Sequence, residues 1–340
     1  MPSPAERGGG VGREGRGGRT GPAGRADPAP PVLAVVGDLV EDVVVWASEP
    51  VRHGTDTAAR VFRTRGGSGA NVAALAATAG ATAATPAAAG ASASAGASVR
   101  FIGCVGADAA GDALVGALSS AGVDVRVQRR GTTGAVVLLI DPDGERTMFP
   151  DRGAAAELGP VDLAWLDGAT RLHVPLYGFE RDPMRASVLG VLSAARERGL
   201  AISIDASSTG LVSNLGVGAV RALLAEAAPA VLFANETEAA LLGIDRGGPA
   251  AAELAATVVV KHGPEPTEVF ERGERVLRVP VEPVADVRDL TGAGDAFAAG
   301  FLVAVLAGAG AEEAVRAGHA AAAAVIALPG SGDGLTVNHG

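Results

Sequence analysis

Apolar and polar positions fall into two regimes along the chain. Residues 32–36 are a short β-branched and apolar run and read as a buried strand. Residues 43–46 and 57–64 alternate like strands of a half-exposed sheet. A helix is expected from Ala70 to about Gly80 and a further strand over 99–102. Residues 125–128, 134–140 and 146–149 read as strands, with Asp141-Pro142-Asp143-Gly144 as the hairpin turn between the last two. Together with 43–46 and 57–64 they are expected to form a small separate sheet, from about 43–65 and 124–150. From Arg171 the pattern changes. Strands at 172–174, 201–204, 230–234 and 258–261 alternate with helices at 183–198, 217–227 and 236–242. That alternation predicts an α/β fold around a parallel sheet with right-handed connections. The apolar run 296–307 reads as a buried helix, and the Ala-rich stretch 311–328 as another that Pro329-Gly330 stops.

Composition bounds this picture. A chain of 340 residues, 48% hydrophobic and 19% charged, can bury a large core in one or two domains. Aromatic residues are 3% of it, so that core is built from Ala, Val and Leu. A net charge of −10 argues against nucleic acid or an anionic membrane as the main partner. The single Cys104 excludes an intrachain disulfide and fits a reducing cytoplasm. Residues 1–31 are rich in Gly, Pro and Arg without an apolar period and read as a disordered tail. Acids dilute its arginines and no apolar segment follows, so no signal peptide is visible. Residues 81–98, nearly all Ala, Ser, Thr and Gly, read as an inserted, mobile surface loop.

Candidate chemistry gathers at five places. In Asp289-Leu290-Thr291-Gly292-Ala293-Gly294-Asp295 a loop of small residues opens the apolar helix, where unpaired N–H groups and the helix dipole favour an anion. Asp295 at that positive end reads either as a helix cap or as a base beside a reacting phosphate. After the first strand come Asp38, Glu41 and Asp42, either a solvated turn or a grip on sugar hydroxyls beyond a strand's carboxyl end. Gly66-Gly67-Ser68-Gly69-Ala70-Asn71 is either a helix entry or a place where backbone meets a ligand, with Asn71 as donor and acceptor. Asn235-Glu236-Thr237-Glu238, just past a strand, is at least a helix start. Arg152 is a surface charge or a second clamp on a sugar acid or phosphate.

Two of these strings resemble the signatures of the PfkB (ribokinase-like) carbohydrate kinases. The stretch ending in Asp295 is similar to the C-terminal signature, Asp-Thr-x-Gly-Ala-Gly-Asp, with Leu290 in place of the usual Thr. Gly66, Gly67, Asn71 and Ala73 fit the N-terminal one, Gly-Gly-x-x-x-Asn-x-Ala. Gly103-x-x-Gly106-x-Asp108-x-x-Gly111 is also familiar from these proteins, and its spacing is wrong for a dinucleotide fingerprint. The resemblance covers about residues 32–335 and implies a doubly wound, mostly parallel sheet with a small β lid over the sugar. It implies Asp295 as catalytic base and Gly292, Ala293 and Gly294 as anion hole. Asp42, rather than Asp38, with Gly66, Gly67 and Asn71, would hold the sugar. Asn235 and Glu238 would organise Mg²⁺, phosphate and water; Lys261 and Gly263 would belong to the ATP site, although Pro266 stands where the nucleotide loop has a second glycine. Asp289 and Thr291 match positions that bind K⁺ in relatives, and the lid would pair two copies. The activity so implied is ATP-dependent phosphorylation of a hydroxymethyl group on a sugar, of the ribokinase, fructokinase or 2-keto-3-deoxygluconate kinase type. A nucleoside kinase would use the same machinery. A catalytically silent sugar sensor would bind sugar without releasing ADP. A Rossmann oxidoreductase lacks its fingerprint after the first strand.

Overall fold

The computed structural model describes residues 30–83, 97–285 and 287–327. Most of the expected tail, and residues 84–96 of the expected insertion, lie outside the described residues. In chain order the elements are β1 Val32–Val36, β2 Val40–Ala47, β3 Ala59–Gly66, α1 Ser68–Ala83, β4 Ser98–Val105, α2 Ala109–Ser120, β5 Val123–Arg129, β6 Thr133–Ile140 and β7 Arg146–Gly153. They continue with β8 Ala169–Pro175, α3 Met184–Glu197, β9 Ala201–Asp205, α4 Thr209–Leu215, α5 Val217–Ala227, β10 Val231–Asn235, α6 Glu236–Leu242 and α7 Gly248–Leu254. The last are β11 Thr257–His262, β12 Glu265–Glu271, β13 Glu274–Val279, α8 Ala293–Leu306 and α9 Ala311–Ile326.

The large sheet runs β13-β12-β11-β10-β9-β8-β1-β4-β5. Pairings from β5 across to β11 are parallel, and β12 and β13 add an antiparallel edge. Strand alternation sorts the core into two layers. Ala34, Val36, Leu232 and Ala234 face one cluster with α3 to α7, whereas Leu33, Val35 and Phe233 face the other with α1, α2, α8 and α9. Chain order reverses at β1, which pairs with β4 on one side and β8 on the other. In such sheets the crevice beyond the strands' carboxyl ends is where ligands bind.

The second sheet has the order β3-β2-β6-β7, and it corrects one expectation. Residues 125–128 do not belong to it: as part of β5 they pair in parallel with β4. The reason is local. Val123, Val125 and Val127 present one apolar face, and they pack in the same cluster as Leu114 and Leu118 of α2, the helix that makes the parallel crossover. Asp108 caps α2 by accepting from the Gly111 amide at 2.9 Å, and it also accepts from the Thr133 amide at 2.8 Å. The third familiar motif therefore pins a helix to the start of β6.

Both faces of the small sheet carry apolar residues interspersed with charged ones. The face towards the large domain carries Asp42, Val44 and Trp46 on β2, paired across the strands with Thr64, Phe62, Leu138 and Ile140. The outward face carries Val43, Val45, Val61, Val137, Leu139 and Phe149.

Candidate active site

Two helix N-termini and three strand ends converge on one crevice. α8 begins at its N-cap Gly292, and Asp295 lies in its first turn. α1 begins at Ser68, immediately after the glycine pair. The two helices pack against each other, so their heads meet. Asp295 Oδ1 accepts from Ser68 Oγ at 2.6 Å, and Oδ2 accepts from Asn71 Nδ2 at 3.0 Å. Segments more than two hundred residues apart thus share one carboxylate. Burial pushes Asp295 up from 3.8 to about 6; the Ser68 and Asn71 bonds and nearby Lys261 oppose that, while Asp205 adds to it. A carboxylate of this strength is ionised near neutrality yet accepts a proton more readily than a surface one.

Behind this pair lies Asp42, buried on β2. A Cβ placed on Gly66 would come within 2.0 Å of Asp42 Oδ1, so only glycine lets the carboxylate rest against that backbone. At Gly67, φ is +96° and a Cβ would meet the Asp38 carbonyl oxygen at 2.4 Å. Burial raises Asp42 to about 7, against attraction from Arg65 and with repulsion from Asp295. Arg65, itself buried, donates to Asn71 Oδ1 at 2.9 Å and so orients the amide that serves Asp295. Asp42 and Thr64 line a narrow cleft together with the apolar face of the small sheet, Asp289 and Thr291.

Charge gathers at the strand ends beside the head of α8. Asp205 ends β9, Asn235 ends β10 and Lys261 lies near the end of β11. Lys261 Nζ donates to Asp205 Oδ2 at 3.0 Å and would lie 3.4 Å from a Cβ on Gly294, which sets it beside the head of α8. Asn235 and Glu238 form a capping box: Asn235 Oδ1 accepts from the Glu238 amide and Glu238 Oε2 from the Asn235 amide, each at 2.9 Å. Glu238 is 2% exposed; burial, then Asp205, raise its pKa. Within the first turn of α8 the Ala293 amide is spent on the Leu290 carbonyl at 3.2 Å. Of the expected anion-hole residues, Gly294 then offers its amide together with Asp295's own, because helix starts leave these without an intrahelical acceptor.

Three expected residues stand differently. Arg152 is no free clamp: its Nη2 and Nε donate to the two oxygens of Asp38 at 2.6 and 2.9 Å, and Nη1 donates to Glu180 at 2.5 Å. A guanidinium so occupied has little left for a ligand. Asp289 and Thr291, the expected potassium positions, are both engaged by Arg146 of β7, at 2.6 and 2.7 Å. Gly263 sits in the turn between β11 and β12. Several residues of the crevice carried no sequence signal strong enough to be assigned: Ser68, Arg65, Asp205, Arg146 and Tyr177. Tyr177 follows β8; burial raises its phenol, aided by Asp295, Asp38 and Glu238. Among the described residues no helix is long and apolar enough to cross a membrane.

Asp295, at the head of a buried helix, thus faces Ser68 and Asn71 beneath the small sheet. The chain belongs to the pfkB family of carbohydrate kinases, whose profile matches residues 32–338. An ATP-dependent ribose-1-phosphate kinase from Halopiger xanaduensis is 31% identical over 179 residues, 52% of this chain and 56% of that protein. The ribokinase of Arabidopsis thaliana is 26% identical over 217 residues, 61% of this chain and 55% of that one. The chain thus spans about half the length of the curated relatives it matches. A solved probable sugar kinase from Rhizobium etli superposes with a TM-score of 0.75 at 24% identity, covering 90% of this chain and 96% of that one.

Proposed function

We propose that the protein is an ATP-dependent kinase that phosphorylates a hydroxymethyl group of a sugar or sugar derivative in the cytoplasm. The observation that carries this reading is the shared carboxylate: Asp295, at the positive end of α8, is held by Ser68 and Asn71 from the glycine-rich segment. Asp42 and Asn71 would fix the acceptor's hydroxyls. Asp295 would take the hydroxyl proton as the oxygen attacks the terminal phosphoryl group of ATP. The Gly294 and Asp295 amides and Lys261 would meet the charge on the transferring oxygens, which is most of what phosphoryl transfer asks of a protein. Mg²⁺, when bound, would be held through Glu238 and Asp205 and would supply positive charge to offset that of the phosphates. The donors present fit it: Glu238 and Asp205 are buried acids that repel each other, and a hydrated divalent ion relieves that. Among the described residues no group of three or more His, Cys, Asp or Glu stands ready to hold an ion, so water and phosphate would supply most ligands.

The test is Asp295→Asn. Nucleotide should still raise the melting temperature, while ADP formation with the best acceptor from a sugar panel falls by roughly 10²-fold or more. Near wild-type turnover in that variant removes Asp295 from the role.

A nucleoside acceptor is the second reading, and the lid favours it. Apart from the indole N–H of Trp46, the surface of Val44, Trp46, Phe62, Leu138 and Ile140 is apolar, which suits a flat base better than a polyol. Adenosine and ribose in the same ADP assay separate the two. The exposed outward face, with Val61 at 61% and Phe149 at 56% exposure, is our proposed surface for pairing two copies, which sedimentation of a Val61→Glu variant would test.

A further inference from the structure

Asp289 is buried, and Thr291 directly precedes the turn that opens α8. A buried carboxylate needs donors or a positive partner. The Thr291 amide donates to Asp289 Oδ1 at 2.8 Å. A full charge arrives from the other sheet. Arg146, the first residue of β7, sets Nη2 2.6 Å from the same oxygen and donates from Nη1 to Thr291 Oγ1 at 2.7 Å. Carboxylate, guanidinium, hydroxyl and amide therefore lock the far end of the lid to the loop that aims the α8 amides.

Building on the kinase reading of this crevice, we propose that Arg146 is a positioning residue. Its guanidinium takes the place at Asp289 and Thr291 that a monovalent cation would otherwise fill, and the charge is delivered by the lid. Two features argue for this. The guanidinium is a planar fork whose paired donors match two acceptors side by side. A potassium ion drawn to the Asp289 and Thr291 oxygens would sit against that fixed positive charge, so one cation excludes the other. A free ion is present whether the lid is open or shut. Arg146 reaches the loop only with its own strand in place, so the turn from Thr291 to Gly294 is set in the same movement that shuts out water.

The test compares the full chain in KCl and in tetramethylammonium chloride at equal ionic strength. Wild type should melt at the same temperature in both salts. Arg146→Ala and Arg146→Gln should each gain about 2 °C or more in KCl, saturably. Adding Asp289→Asn should abolish the gain. With an acceptor in hand, KCl should restore roughly tenfold of the turnover lost in Arg146→Ala and add nothing to wild type. A saturable, potassium-specific rise in the melting temperature or rate of wild type overturns the proposal. So does the absence of any potassium response in both variants while they melt cooperatively. The melting arms do not depend on turnover. A wild-type protein that forms no ADP with any acceptor would sink the kinase reading and leave these arms legible.

Discussion

Asp42→Asn should make the protein more stable as the pH rises, relative to wild type, while it weakens acceptor binding. Asp42 is 7% exposed, and its carboxyl is raised from 3.8 to about 7, chiefly by burial. The native state therefore prefers the neutral acid, and the unfolded chain does not share that preference. Below about pH 3.8 both states are protonated and nothing is lost. As pH climbs from about 3.8 towards 7, the unfolded chain ionises while the folded acid stays neutral, so stability falls by comparison with a side chain that never ionises, and the loss levels off above about 7. A shift of about three units at 1.36 kcal/mol each puts the full cost near 4 kcal/mol. Between pH 5 and 8 roughly 2–3 kcal/mol of it should appear. Urea unfolding of both proteins at those two pH values isolates the effect, since every other titrating group is common to both. The stability of Asp42→Asn minus that of wild type should grow by that amount, on top of a constant offset for the changed hydrogen bonding. A difference that is the same at pH 5 and pH 8 refutes the reasoning: Asp42 would then be solvated in the native state, and its contact with Gly66 would not reflect a desolvated site.

Three further outcomes follow from the same geometry. With Asp295 raised to about 6 and required as a base, kcat/KM should fall tenfold per unit below about pH 6; a flat profile down to pH 5 would point to a different base. Gly66→Ala would push a methyl group into the Asp42 carboxylate, so KM for the acceptor should rise on the order of tenfold or more while the nucleotide still binds, as parallel titrations would show. Arg152→Ala leaves Asp38 without its guanidinium and should cost about 3 kcal/mol in denaturant unfolding, largely recovered in Arg152→Ala with Asp38→Asn; an intact stability with a raised acceptor KM would restore Arg152 as a clamp.

Much of this architecture is written in local pattern. β1, α5 and α6 fall where apolar periodicity sets them, because each is bounded by residues that cannot continue it. The chemistry was legible for a related reason: Gly66, Gly67, Asn71 and Asp295 lie in short strings where spacing itself is the signal. What was not legible is pairing. Nothing in Val125 to Gln128 states which sheet will take the strand, since that depends on α2 covering it. β12 and β13 are rich in Glu and Arg because they are an antiparallel edge, so they lack the apolar run that marks a central strand. Arg152 and Asp38 are 114 positions apart and Arg146 and Thr291 are 145 apart, and a single sequence carries no trace of either bond. Arg152 looked available for a ligand because its partner could not be seen.

The packing of α1 on α8 has a consequence for how such a protein can change over time. On the kinase reading, Asn71 of the hydroxyl grip and the amides of the phosphoryl cradle are fastened to one rigid pair of rods, α1 and α8, packed through Val72, Ala73, Ala76, Phe297 and Phe301. The span between attacking oxygen and phosphorus is then fixed by interior methyl groups and rings, not by the polar residues that do the work. The apolar residues of the small sheet, such as Val44 and Phe62, could then change towards new acceptors without retuning that span, provided that Asp42 and Arg146 keep their contacts. Conversely, a single bulky replacement at Ala73 or Ala76 would pry the two ends apart and silence the reaction with every polar group intact.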